Sequence, residues 1–207
     1  MKLNCNYPDV VERIRNRVNR VNDPNRNGPS DRSQGFLLAG PPRHIAEAIH
    51  ANLNALPKLV APRVCAAVFR TIFNGWCTER RFKRRHLPSN RCVLGCGGEA
   101  EDSIEHYCCC PPIVAQLQKK FHIRVPTGQL LSLWMMKETR RPDLITSFAL
   151  IVYAAYNATN IYRHGNTTTH EVAEDCIRQL LIQGVAGHPR STRFLQDAYQ
   201  RPWTQWI

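Results

Sequence analysis

No run of about 18 or more apolar residues occurs, and a helix needs about 20 to cross a bilayer. The most apolar stretch, Leu144–Ala155, is shorter and carries Thr146 and Ser147, so no membrane partner is expected. The opening residues, MKLNCNYPDVVERIRNR, lack the apolar core of a secretory signal. The nine cysteines are an odd number, which argues against a closed disulfide framework. An intracellular, reduced chain is expected, with the nucleus a compartment that suits it; there, paired Cys/His spacing favours metal. Acid is scarce too: 16 Asp and Glu stand against 28 Lys and Arg, a formal net charge of +12. No Gly-rich phosphate loop is present, strand patterns are sparse, and no internal repeat is evident.

The charge is uneven. Residues 63–91 carry eight basic groups against Glu79 alone, whereas residues 92–110 carry four acids and no Lys or Arg. More than half the excess charge therefore sits just before the cysteine-rich stretch. Clustered positive charge points to polyanions, with nucleic acid first.

That stretch, CVLGCGGEAEDSIEHYCCC, offers Cys92, Cys96, His106 and Cys110 as Cys-x3-Cys-x9-His-x3-Cys. Two close pairs separated by a short loop are what a tetrahedral Zn2+ site asks of a chain. Gly95, Gly97 and Gly98 suit a backbone turning tightly around an ion. Asp102–His106 reads as a first helical turn, with Cys110 one turn on from His106 at i+4, where Pro111 then stops the turn. Cys109, at i+3, is the next candidate for the fourth ligand, and Cys108 also competes. The plain alternative is a set of small buried hydrophobes and free thiols. Four protein ligands would close the site, so a zinc ion here is structural and stands in for the core that residues 90–112 lack.

Just upstream, five of the eight residues from Glu79 to His86 are Lys or Arg. Arg80, Arg81, Lys83, Arg84, Arg85 and Arg91 could release condensed counterions from RNA or DNA, giving salt-sensitive affinity. Phe82 or Trp76 could support such contacts. The bland account is a solvated basic face.

Helical periodicity covers most of the remainder. Pro8–Val21 suits a short basic helix and Asn22–Gly35 a turn-rich linker. Helices are expected over Pro42–Leu56, ended by Pro57, and over Pro62–Trp76, with Val64, Val68, Ile72 and Trp76 on one stripe. Further helices fit Ile113–Phe121, Val125–Lys137 and Asp143–His164. The last, Thr169–Gly184, is capped by Thr169, with Val172, Cys176, Leu180 and Leu181 inward. His188–Ile207 reads as a loose tail that docks through Phe194, Trp203 and Trp206. The expected fold is mainly α: a helical domain with a small irregular CCHC zinc module in its middle. Its expected divisions are 1–41, a basic N-terminal segment; 42–124, helices, basic segment and zinc module; 125–186, a helical region; and 187–207, a tail.

The runs RTIFNGWCTERRF, CVLGC and EDSIEHYCCCP resemble the zinc-binding region that follows the reverse transcriptase of non-LTR retrotransposons. The resemblance covers Pro62–Pro112, about a quarter of the chain. It places the family's metal ligands on Cys92, Cys96, His106 and Cys110, with a longer first spacing and a shorter His-to-Cys step than the commoner form. It implies a nucleic-acid-binding appendage beside an upstream polymerase domain. It does not imply polymerisation: that chemistry needs carboxylates holding two metal ions, and no Asp-Asp pair occurs. No catalytic residue is assigned. Cys77 beside the arginines lacks a paired base. The competing reading is a helical protein-interaction module whose zinc knot only shapes a partner surface.

Overall fold

The computed structural model describes residues 43–78, 91–96, 100–124, 126–134, 136, 141–163, 168–198 and 204–205. These form eight helices and two very short strands. The helices are α1 (Arg43–Leu59), α2 (Pro62–Ile72), α3 (Ile104–Cys109), α4 (Pro111–Phe121), α5 (Thr127–Trp134), α6 (Pro142–Arg163), α7 (His170–Val185) and α8 (Pro189–Ala198). Strand β1 (Ile123–Arg124) pairs in parallel with β2 (Thr204–Gln205), Ile123 opposite Thr204. The mainly α expectation holds. The Pro8–Val21 helix, the Asn22–Gly35 linker, Phe82, Trp203 and Trp206 lie outside the described residues.

α6 is the axis. It buries residues on every side, from Leu144 and Ile145 through Phe148, Ile151 and Val152 to Ala155, Ala158 and Thr159. Such an all-round apolar helix belongs at the centre of a protein or in a bilayer. By length and composition α6 could cross a membrane, but most of it is covered by other helices. α7, α2, α4, α1 and α5 pack around it. One buried cluster runs from Ile49 to Ala198 and includes Leu94, Ile104, Tyr107 and Cys110 from the middle of the chain. Residues 90–112 were expected to lack a core; instead they contribute to a shared one.

Several expected elements differ from those observed. Pro57 does not end α1 but sits inside its last turn. The lost backbone hydrogen bond is tolerated one turn from the end, where Leu56, Leu59 and Val60 are buried. α2 stops at Ile72, because Asn74 takes the left-handed conformation at φ 51°. Trp76 is buried nonetheless, reached through that turn rather than along the helix. α5 is shorter than Val125–Lys137, and Met136, in a left-handed conformation at φ 57°, follows it. In α7, Val172 is 53% exposed; the inward face is Ala173, Ile177, Leu180, Leu181 and Gly184. Gly184 is where α7 meets α6 closely, since a Cβ there would lie 3.0 Å from the Tyr153 ring.

The supposed loose tail holds α8. Its Leu195 and Ala198 are buried, and Phe194 stacks on Phe121 at 6.2 Å. His188 Nδ1 accepts from Ser191 N–H and so satisfies an otherwise orphan donor at the start of α8. Arg63 donates to the carbonyls of Gln183 and Ala186, capping the other end of α7.

Candidate metal centre

The first ligand pair lies on a turn. Arg91 and Glu101 form an antiparallel bridge, and Cys92 N–H donates to Ala100 O at 2.8 Å, so the chain returns alongside itself. Gly95 has φ 62°, and a Cβ there would lie 2.3 Å from Thr168 O. Only glycine allows this turn to sit against the backbone that leads into α7.

The second pair lies on α3 and its end. Ser103 caps α3, its side chain accepting from His106 N–H at 3.1 Å. His106 is in the first turn. Cys110 is not on the helical face one turn later, as i+4 spacing suggested. It is the extended residue (φ −61°, ψ 128°) that ends α3 and begins α4. The proline after it enforces that geometry, because Pro111 disfavours a helical conformation at residue 110.

Cys92, Cys96, His106 and Cys110 come together, their ligand atoms all within 4.8 Å of one another. Cys92 Sγ is 3.6 Å from Cys110 Sγ, and Cys96 Sγ is 3.5 Å from His106 Nε2. Zinc–sulfur bonds of about 2.3 Å put the edge of a tetrahedron near 3.8 Å, so these separations suit one ion. Cys108 and Cys109 are turned away: Cys108 Sγ donates to Glu105 O at 3.0 Å, and Cys109 Sγ to His106 O at 3.2 Å. The residues present could therefore hold a metal ion, and Cys110 is the fourth member.

The electrostatics fit a site that exchanges protons for a cation. Hydrogen bonding with Cys110 pulls the Cys92 thiol down to about 4 against its burial, with His106 adding to the pull. The same hydrogen bond, then burial, pushes the Cys110 thiol up. Burial works against a protonated His106, but hydrogen bonding to Cys92 and the charge there raise its pKa overall. Leu94 N–H also donates to Cys92 Sγ at 3.4 Å, as suits a thiolate ligand.

Around this cluster stand residues that the spacing did not reveal. Asp102, one of the four acids of residues 92–110, is fully buried and paired with Arg163 at 2.8 Å. Tyr107 is fully buried and stacks on Trp76 at 5.7 Å. Trp76 also meets Trp134 at 5.9 Å and Tyr156 at 5.5 Å, and its N–H donates to Thr71 Oγ1 at 2.8 Å. Being fully buried, Trp76 cannot stack on a nucleic acid as expected; it is core. Arg163 comes 61 positions after Asp102, and no local pattern could have joined them.

Of the basic residues, Arg91 is exposed beside Cys92. Arg80, Arg81, Lys83, Arg84 and Arg85 lie outside the described residues. None of the eight described cysteines is in a disulfide. No protein family, curated protein or solved structure matches this chain.

Proposed function

We propose that this chain is a non-catalytic, zinc-stabilised helical module that binds RNA or DNA through its basic stretch. The observation that carries the reading is one of adjacency. A Cys3His cluster of soft donors follows directly on a stretch with six basic side chains at Arg80, Arg81, Lys83, Arg84, Arg85 and Arg91. Three thiolates and an imidazole suit zinc, and four protein ligands leave no open position for a reacting water. The ion's part is then to hold the chain in shape while the neighbouring charges meet phosphates. Thiolate ligands are best kept in a reducing, intracellular compartment. The resemblance of Pro62–Pro112 to the region after a retrotransposon polymerase adds such a polymerase domain as a neighbour.

The test is anisotropy of labelled single-stranded RNA and DNA titrated across a salt series. Binding should weaken steeply with salt, and replacing Arg80, Arg81, Lys83, Arg84 and Arg85 by Gln should flatten the dependence. Each phosphate that is no longer neutralised should reduce the log–log slope by about 0.7 to 0.9. A flat salt response from the native chain overturns the reading.

A second reading, a protein-interaction module, is favoured by exposed apolar side chains where α6 meets α7. Ile161 is 52% and Val172 53% exposed there.

A further inference from the structure

The four ligand atoms come from two stretches of chain, and the ligand contacts are not all that joins them. The residues immediately after two of the ligands join them as well. Val93 follows Cys92, and its N–H donates to the Tyr107 phenol oxygen at 3.4 Å. Tyr107 follows His106, and its O–H donates to Asp102 Oδ1 at 2.6 Å. One phenol therefore ties the turn of the first pair to the helix of the second.

The carboxylate it bonds is anchored in turn. Asp102 is fully buried, and a buried charge persists only with partners of good geometry. Arg163, at the end of α6 and itself only 10% exposed, supplies the charge-assisted bond at 2.8 Å. Gly95 gives the first pair its own mooring, against Thr168 just before α7. Both moorings fall on the junction of α6 and α7, and neither uses a ligand atom.

We propose that Tyr107, Asp102 and Arg163 are positioning residues that build the cation site before the cation arrives. The proposal rests on the metal reading above and changes its physical content: the ion enters a folded cluster rather than nucleating one. Ordering the two ligand pairs is then done by the helical body, so the ion loses less of its binding energy to ordering the chain. Removing such outer contacts typically costs 10–100-fold in metal affinity with every ligand intact.

The experiment is competition for Zn2+ between the full chain and a chromophoric chelator. The proteins compared are wild type, Tyr107→Phe, Asp102→Asn and a core control, Ile177→Val. Tyr107→Phe keeps the buried ring and deletes both hydrogen bonds. It should bind zinc about tenfold or more weakly, while its Co2+ adduct keeps the wild-type thiolate band, and Asp102→Asn should shift the same way. The control should bind as wild type does, which separates positioning from a general loss of stability. Metal-stripped wild type should keep the near-ultraviolet circular dichroism of the Trp76–Tyr107 stack. Equal zinc affinity in Tyr107→Phe and wild type, or loss of that signal on stripping, overturns the proposal. A wild-type chain that takes up no stoichiometric zinc removes the metal reading itself, and this inference with it. Zinc uptake by wild type with Tyr107→Phe unchanged removes this inference alone.

Discussion

Cys108, Cys109 and Cys110 have the same side chain and differ only in where the backbone carries it. Cys108 and Cys109 still belong to α3, and their thiols reach back to carbonyls of its first turn. Cys110 is already extended, so its sulfur can swing to Cys92. Cys110 is singled out in the sequence by helical phase at i+4 and by the proline that stops the turn; the structure keeps the second reason and not the first. Cys109→Ser should therefore leave zinc stoichiometry and the Co2+ thiolate band unchanged. Cys110→Ser should weaken the band and lower affinity. A weakened band in Cys109→Ser alone would put the ligand one residue earlier. The four members of the cluster were legible because Cys and His at such spacing are local and rare. The buried role of Asp102 was not, because its partner is supplied by a distant helix.

At the scale of elements, seven of the eight helices among the described residues follow patterns visible in the sequence, and the errors lie in their ends and faces. α7 shows why. Val172 and Ala173 are neighbours, and an apolar residue near a cap can point either way. The close approach of Gly184 to Tyr153 and Leu150 fixes the rotation of the helix and leaves Val172 outside. Ile177→Ala should then cost about 2–5 kcal/mol of unfolding free energy in a urea titration. Val172→Ala should change it by no more than about 0.5 kcal/mol. Equal costs would mean the helix is turned differently. α8 was missed because it buries so little: only Ser191, Leu195 and Ala198 among ten residues. Its start depends on a histidine acting as cap, outside the usual Ser, Thr, Asp and Asn preference.

For the whole molecule, the decisive feature is that the metal cluster is not an appendage. Leu94, Ile104 and Tyr107 belong to the same buried cluster as α6, so an ion bound there stabilises everything packed with them. A chelator should lower the melting temperature of the entire chain in one transition. Protons and metal compete for the thiolates and His106, so acid should weaken metal binding. Since His106 holds its proton more firmly than a free imidazole, metal binding must displace that proton, and its contribution shrinks as pH falls. The melting difference with and without chelator should be smaller near pH 6 than near pH 8, roughly the range in which imidazole titrates. A difference that grows on acidification would contradict three thiolates and an imidazole as the ligands. By itself the sequence determined the helical class, the Cys3His set that comes together and the placement of positive charge, because periodicity, side-chain chemistry and charge are carried by nearby residues. Only the tertiary structure decided which face of α7 is buried, and that Asp102 meets Arg163. Those depend on contacts between residues far apart in the chain, which no local pattern encodes.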